Sequence, residues 1–524
     1  MRKLTSVLLI MIMVLCMGTT VFADEPPTTN LTINNSDGRT YNGYQLLTLT
    51  TSLKCDHEGD THSTDCYNYA YTVNPKYEDI LQAQAGENND IIEYLNGLGS
   101  DTADGYGTLR PVADSIYRAI LAGDIEPDAK ELQGSGNINQ GYWLFADITD
   151  LDEENNANSL VMVNTKGQDT LTITPKTALP QLEKKVKDID DSTDDAIADN
   201  AWADSADHDK GDTVPFKLTA TVPANASNYG TYTMIFHDTM ENGLTLDPTS
   251  VKVYKYETKT AADADIPLTS VTPLFDASEG NYTTADVTYA PAAGNHAFEL
   301  TLTNVLTGTD AAEGNNAFVV YYEATLNENA VMGSAGNSNT AYLEFSNNPY
   351  TDGTGKTPED KVKVFTYQLK INKVDDKSQP LPGAGFTLYK KNAAGTYVAV
   401  GSEVTGEDVT SFIWDRLDDG DYKLVETTVP AGYNKMDDVE FTISATHDAD
   451  AADPALISLS GGLASGTIDT GKGLFEAPVT NYTGTVLPST GAQGTMMLIG
   501  GGSVLIVLAA VFMITRKKMS IYED

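Results

Sequence analysis

Two trios of polar residues interrupt apolar strand faces, and each trio unites an amine, a carboxyl and a carboxamide. In Leu182-Glu183-Lys184-Lys185-Val186 the two-residue period of a strand puts Lys184 in phase with Leu182 and Val186. Asp238 is likewise in phase with Tyr232, Met234 and Phe236, and Asn347 with Leu343 and Phe345. Further along, Lys373 shares a face with Leu369 and Ile371, Glu426 with Leu424, and Asn481 with Phe475, Ala477 and Val479. An amine without a partner is costly in an apolar core. Burial lowers a lysine pKa and raises that of a carboxylic acid, by up to ~3–5 units. A neutral amine can then attack the carboxamide carbon while the protonated carboxyl polarises the carbonyl and moves protons. Ammonia leaves, and the product is a Lys–Asn isopeptide bond. In this chemistry Lys184 and Lys373 are nucleophiles, Asn347 and Asn481 electrophiles, and Asp238 and Glu426 the catalytic carboxyls. Asn348 is the rival of Asn347, but the pleat puts it on the other face.

The elements that must position these groups are short strands. Alternating patterns at residues 214–222, 232–238, 251–256, 296–302, 317–326 and 342–347 outline one β-domain, residues 178–365. A second set beginning at 367–374 and ending at 475–481 outlines another, residues 366–484. Residues 24–177 are mixed: strand-like pieces alternate with helical spacing over 77–98 and 112–122, so this part reads as α+β. The fold class is therefore mainly β.

Both chain ends carry targeting patterns. Met1-Arg2-Lys3, an apolar stretch over 8–16 and Val21-Phe22-Ala23 follow the order of a secretory signal peptide, residues 1–23. At the other end, residues 487–524, Leu487-Pro488-Ser489-Thr490-Gly491 precedes an apolar run over 495–515 and then Arg516-Lys517-Lys518. The run has about the 20 residues that an α-helix needs to cross a hydrocarbon core. The basic cluster after it fits the cytoplasmic end of such a span.

A net charge of −41 opposes nucleic-acid binding, which depends on basic patches. No Ser/His/Asp or metal-hydrolase arrangement stands out, so the sequence does not read as an enzyme on external substrates; the trio chemistry turns over once. The carboxylates between Asp188 and Asp212 lack EF-hand spacing and read as a solvated loop, with no metal or cofactor expected. Past the signal segment only Cys55 and Cys66 remain, flanking a loop that holds His57 and His62. Zinc ligation and a disulfide both fit; an oxidising compartment favours the disulfide.

The motifs carry a family resemblance. LPSTG, apolar run and basic tail resemble the cell-wall sorting signal of Gram-positive surface proteins, which implies cleavage by a sortase between Thr490 and Gly491. Thr174-Pro175-Lys176 resembles the pilin motif of sortase-assembled backbone pilins, with Thr174 where that family has an aromatic. Gly211-Asp212-Thr213-Val214, Asp238-Thr239-Met240 and Ser346-Asn347-Asn348-Pro349 resemble the A-type immunoglobulin-like domain of collagen adhesins and pilins. The Leu381–Tyr389 segment and Val425-Glu426-Thr427 with Pro430 and Gly432-Tyr433 resemble their B-type domain, whose boxed Glu catalyses the crosslink. The resemblance implies tandem immunoglobulin-like β-sandwiches in a pilus backbone subunit. Its partners would be a pilus-class sortase joining Thr490 of one copy to Lys176 of the next, peptidoglycan, and accessory pilins or host ligands. The rival reading is a monomeric wall-anchored adhesin.

Overall fold

The computed structural model describes residues 27–34, 38–53, 67–100, 108–149, 157–173, 178–189, 202–224, 226, 229–265, 268–306, 315–350 and 353–484. The signal segment, Cys55, Cys66, Lys176, Thr490, Gly491 and the apolar run 495–515 lie outside the described residues. Among those described, no helix is long and apolar enough to cross a membrane. Strands dominate throughout.

The N-terminal domain is α+β, as its mixed periodicity requires. Tyr41–Leu53 lies between Tyr67–Val73 and Gly141–Asp147 in a five-stranded sheet. The helices Glu78–Ala85, Ile91–Asn96 and Leu109–Ala122 accompany it. Tyr77, Leu81, Ile116 and Ile120 pack with Leu46 and Leu144 of the sheet in one core cluster. In Leu109–Ala122 the buried Ala113, Ile116, Tyr117 and Ile120 follow helical spacing. The expected helical stretch 77–98 is two helices. Gly86, with φ of 95°, ends the first, and Asp90 caps the second by accepting from the Glu93 amide at 2.8 Å.

The second domain is a sandwich of two sheets. One runs Leu182–Lys187, Thr213–Thr221, Ala317–Leu326, Lys252–Tyr256 in hydrogen-bonded order; the other runs Asn337–Ser346, Met234–Met240, Ala297–Leu302, Val287–Pro291. Phe298 of the second sheet meets Tyr322 of the first edge-on at 4.9 Å, so the two inner faces share a core. This domain also meets the N-terminal domain: Tyr350 donates to Asp114 at 2.5 Å, and the Asn158 amide donates to the Asn347 carbonyl at 3.0 Å.

In the third domain a four-stranded sheet runs Ser411–Leu417, Tyr367–Val374, Leu474–Thr480, Thr467–Asp469. A larger sheet centres on Gly385–Lys391, Gly420–Thr428 and Val439–His447. Leu369, Ile371, Phe386, Leu388, Leu424 and Phe475 fill the space between them. The first strand, Tyr367–Val374, pairs in parallel with the last, Leu474–Thr480, with Lys373 opposite Val479.

The described parts of Met1–Val186, Pro215–Thr325 and Ser338–Val362 form one compact unit, and those of Lys187–Val214, Leu326–Asn337 and Lys363–Asp524 a second. The acidic insert thus departs from the solvated loop that its composition suggests. Ser205–Asp207 pairs in parallel with Lys363–Phe365, and Ser205, Ala206, Asp207 and His208 are buried. Paired backbone and flanking apolar residues hold this piece of the insert inside despite its charge.

Gly461 provides a check on the third-domain packing. Its φ is 92°, and a Cβ there would stand 2.0 Å from the Thr442 carbonyl oxygen. Gly461→Ala should destabilise the domain by roughly 2 kcal/mol or more in urea unfolding, since backbone strain and a main-chain clash add. At Gly432, with φ of 86° and open space around the added carbon, alanine should cost only about 1 kcal/mol.

Candidate functional site

The second-domain nest lies across the sandwich. Lys184 enters from the Leu182–Lys187 strand, and the pleat that buries Val186 buries it too. Its amine donates to the Asp238 carboxylate and to the Tyr322 hydroxyl, the latter at 2.5 Å. Tyr322 in turn donates to Asp238 Oδ2 at 2.6 Å, and the Asn339 carboxamide donates to Tyr322 Oη at 3.1 Å. All four side chains are shut off from solvent. The amine also sits near two stacked rings, 5.5 Å from the Phe216 centroid and 5.3 Å from that of Tyr322.

Burial decides the electrostatics here. It lowers the Lys184 pKa, with Asp238 pulling the other way, and raises that of Asp238 against the pull of Lys184, Tyr322 and Asn339. It raises Tyr322 well above the usual phenol range. Both directions favour the neutral amine facing the neutral acid, the pair of protonation states that amide exchange needs. Asp238 Oδ1 and Asn339 Oδ1 are buried without a hydrogen-bond partner.

The carboxamide in this nest is Asn339 and not Asn347. Asp238 stands opposite Ala341 and Met240 opposite Asn339, whereas Phe345 is already opposite Met234. At about 3.3 Å per residue, Asn347 is on the order of 20 Å along the strand from the Asp238 register, while Asn339 is about 7 Å away. Asn347 is buried for another reason. It caps the end of the strand, its Nδ2 donating to the Thr354 carbonyl at 3.0 Å and its own carbonyl accepting from Asn158 of the N-terminal domain. Its neighbour Asn348 accepts from the Tyr350 amide at 2.9 Å, a local turn contact. The alternation that marked Asn347 extends back through Leu343 and Ala341 to Asn339 and Asn337, all buried on one face. The sequence signal for Asn339 was present, but phase alone does not choose among in-phase amides.

In the third domain Lys373, Glu426 and Asn481 are all buried and all brought together. Lys373 lies on the first strand, and the Asn481 amide donates to the Val374 carbonyl at 3.1 Å just past the last strand. Glu426 comes from the facing sheet. Asn481 Nδ2 donates to Glu426 Oε1 at 2.7 Å, and the Met436 amide donates to Glu426 Oε2 at 2.8 Å. The Lys373 amine donates to the Val374 and Val479 carbonyls, both at 3.1 Å. Burial brings its pKa down to about 8, with the Glu426 charge opposing. Asn481 Oδ1 is buried without a hydrogen-bond partner.

Comparison with known proteins places these nests in context. Residues 367–453 match the SpaA family model, described as a prealbumin-like fold domain, and residues 480–520 match the LPXTG cell wall anchor motif. The chain is 24% identical over 379 residues to the trypsin-resistant surface T6 protein of Streptococcus pyogenes serotype M6. That alignment covers 69% of this chain and 61% of the relative, so the chain spans less than two thirds of the curated relative it matches. The solved structure of the T6 backbone pilin of the same serotype superposes with a TM-score of 0.50 at 18% identity, covering 88% of this chain and 100% of that one. The group B streptococcus pilus 2b backbone protein gives 0.39 at 25% identity, over 58% of this chain and 99% of that chain. The third domain is a prealbumin-like fold domain, and the tail after it is that of a cell-wall-anchored surface protein.

Proposed function

We propose that this chain is the backbone subunit of a covalently polymerised cell-surface pilus, and that autocatalytic isopeptide bonds stiffen its second and third domains. The observation that carries the reading is the pair of buried nests in one chain that ends in an LPXTG anchor. Each nest ties an early strand of its sandwich to a late one. In the third domain, the Lys373 nitrogen attacks Cγ of Asn481, Glu426 moves the protons, and ammonia departs. In the second domain, Lys184 attacks Asn339, and Asp238 is the proton carrier held in place by Tyr322. Prepositioned reactants remove much of the entropic barrier to such a step. The finished bond bypasses the sheet hydrogen bonds, so a pull on the chain ends runs through covalent links. The homologous surface protein and the LPXTG anchor support a sortase as partner. The linkage would join the Thr490 carboxyl, released from Gly491, to Lys176 of the next copy.

Intact mass tests the internal bonds. Each condensation should lower the mass by one ammonia, roughly 17 Da, so the chain should be lighter by two. Asn339→Ala and Asn481→Ala should each restore one ammonia, and Asn347→Ala none. A deficit restored by Asn347→Ala would return the electrophile to that residue.

Polymerisation is tested by co-expression with a pilus-class sortase. A detergent-resistant ladder should form and vanish in Lys176→Ala. A ladder that survives the substitution would reassign the lysine, and no ladder with the cognate enzyme would favour the wall-anchored adhesin.

The third-domain amine has its own pH signature where the bond cannot form. In Asn481→Ala, Lys373 stays a free amine whose folded pKa lies near 8 against an ordinary 10.5. The unfolded chain then binds more protons between those values, so stability rises with pH across that window. The gain should be about 3 kcal/mol and should disappear when Lys373→Met is added, as read from urea unfolding at a series of pH values.

A further inference from the structure

A second concentration of buried charge lies in the second compact unit, where the acidic insert meets the turn after Ser411–Leu417. Asp207, 3% exposed, ends the Ser205–Asp207 strand, and Asp418, 1% exposed, begins the turn, followed by Asp419. One carboxylate oxygen from each of Asp207, Asp418 and Asp419 lies within 4.8 Å of the other two. Asp188, Asp207 and His447 form a second such group, and Asp209, Asp212 and Asp418 a third. Lys390 donates to Asp209 at 2.7 Å and to Asp418 at 3.1 Å, and His447 Nε2 lies 3.4 Å from Asp207 Oδ1 and 3.8 Å from Asp188 Oδ2. Beside these six carboxylates stand Lys390, His447 and His208, whose Nδ1 lies 3.9 Å from Asp212 Oδ2.

Two buried oxygens here lack a hydrogen bond of ordinary geometry. They are Asp207 Oδ2 and the hydroxyl of the fully buried Tyr367, which interacts with the Asp207 carboxylate. Burial raises the Tyr367 phenol most, the Asp207 carboxylate raises it further by its charge and as a hydrogen-bond partner, and the charges of Asp418 and Asp419 add to this. The rest of the turn is fixed in advance. The Asp418 amide donates to Asp209 Oδ1 at 2.8 Å, the Asp419 amide to Asp418 Oδ1 at 2.9 Å, and Tyr422 donates to the Asp418 carbonyl at 2.8 Å.

We propose that Asp207, Asp418 and Asp419 bind one calcium-type divalent cation, which ties the buried piece of the insert to the third-domain turn. Oxygens bound to one calcium at 2.3–2.6 Å lie no more than about 5 Å apart, which these three satisfy. An all-carboxylate set selects a hard cation, and calcium accepts the wider range of oxygen geometries. An ion here neutralises like charges that the fold holds close together.

The experiment titrates the full chain, stripped with EGTA, with calcium chloride. Calorimetry should show saturable binding. At a hundredfold excess over Kd the melting temperature should rise by roughly 5–10 °C. Hydrogen exchange should slow at residues 203–207 and 417–421. Asp207→Asn with Asp418→Asn should abolish the thermal response. Exchange protection in the native chain localises the ion even if that double variant does not fold. No binding, protection confined to other acidic surfaces, or a double variant that keeps its calcium response would each overturn the proposal. Calcium indifference together with a double variant more stable than the native chain would show that the cluster holds protons.

Discussion

The constraint on which both nests depend is the exclusion of water from an amine and a carboxyl held in one core. In water, lysine and aspartate would carry opposite charges and the amine would be no nucleophile. Inside the second domain, burial pushes Lys184 down and Asp238 up. Their mutual attraction works against both shifts. The outcome depends on how little else solvates the charges, and the surroundings there are the rings of Phe216 and Tyr322 and the Tyr322 hydroxyl. An ion pair buried so completely is weak evidence for stability, since desolvation offsets most of the attraction. Condensing Lys184 with Asn339, with loss of ammonia, would remove the amine's charge, leave Asp238 a neutral acid and add a covalent tie.

The two nests reach the same requirement through different supports. In the second domain a side chain, Tyr322, bridges amine, carboxyl and carboxamide. In the third, the backbone does more of the holding: two carbonyls take the Lys373 amine, and the Met436 amide takes one oxygen of Glu426. The difference follows from topology. Lys373 lies on the strand that pairs in parallel with Leu474–Thr480, and Asn481 directly follows that strand with its amide bonded to the Val374 carbonyl, so their spacing is set by the sheet itself. Lys184 must reach across the sandwich to residues of the facing sheet, and a bridging hydroxyl fills the gap that no ladder spans.

Much of this was legible in the chain. Alternation identified the inward face of every strand that carries Lys184, Asp238, Lys373, Glu426 and Asn481, because one buried face must repeat every second residue. Alternation carries no information about height along the strand, so it could not separate Asn347 from Asn339. Height is set by pairing register, which links Asp238 to Ala341 through residues about a hundred positions apart in sequence. Tyr322 was hidden for a related reason: in a run as apolar as Ala317–Leu326 a buried tyrosine looks like ordinary core. The Gly86 break was visible as a residue but not as a boundary, because the apolar spacing on either side of it stays in helical phase. The acidic insert misled in the opposite direction. Composition suggested solvent, and tertiary pairing with Lys363–Phe365 overrode it.

The net charge of −41 makes the same demand at a larger scale. A chain so acidic repels itself and its copies, which favours solubility and extension but opposes compaction. Among the described residues, cohesion comes from aromatic and aliphatic sandwich cores and from carboxylates that are paired or buried. A crosslink between strands of one sandwich resists that repulsion without an oxidant, since it acts chiefly by restricting the unfolded chain, as any long covalent loop does. From Lys373 to Asn481 such a loop would enclose nearly the whole third domain. The carboxyls that would catalyse closure, Asp238 and Glu426, are both buried, and burial pushes the Asp238 carboxyl up. At Asp238 the desolvation that makes a buried ion a poor contributor to stability also favours the protonated carboxyl that can carry protons, so one physical effect serves the acidic composition and the covalent chemistry there.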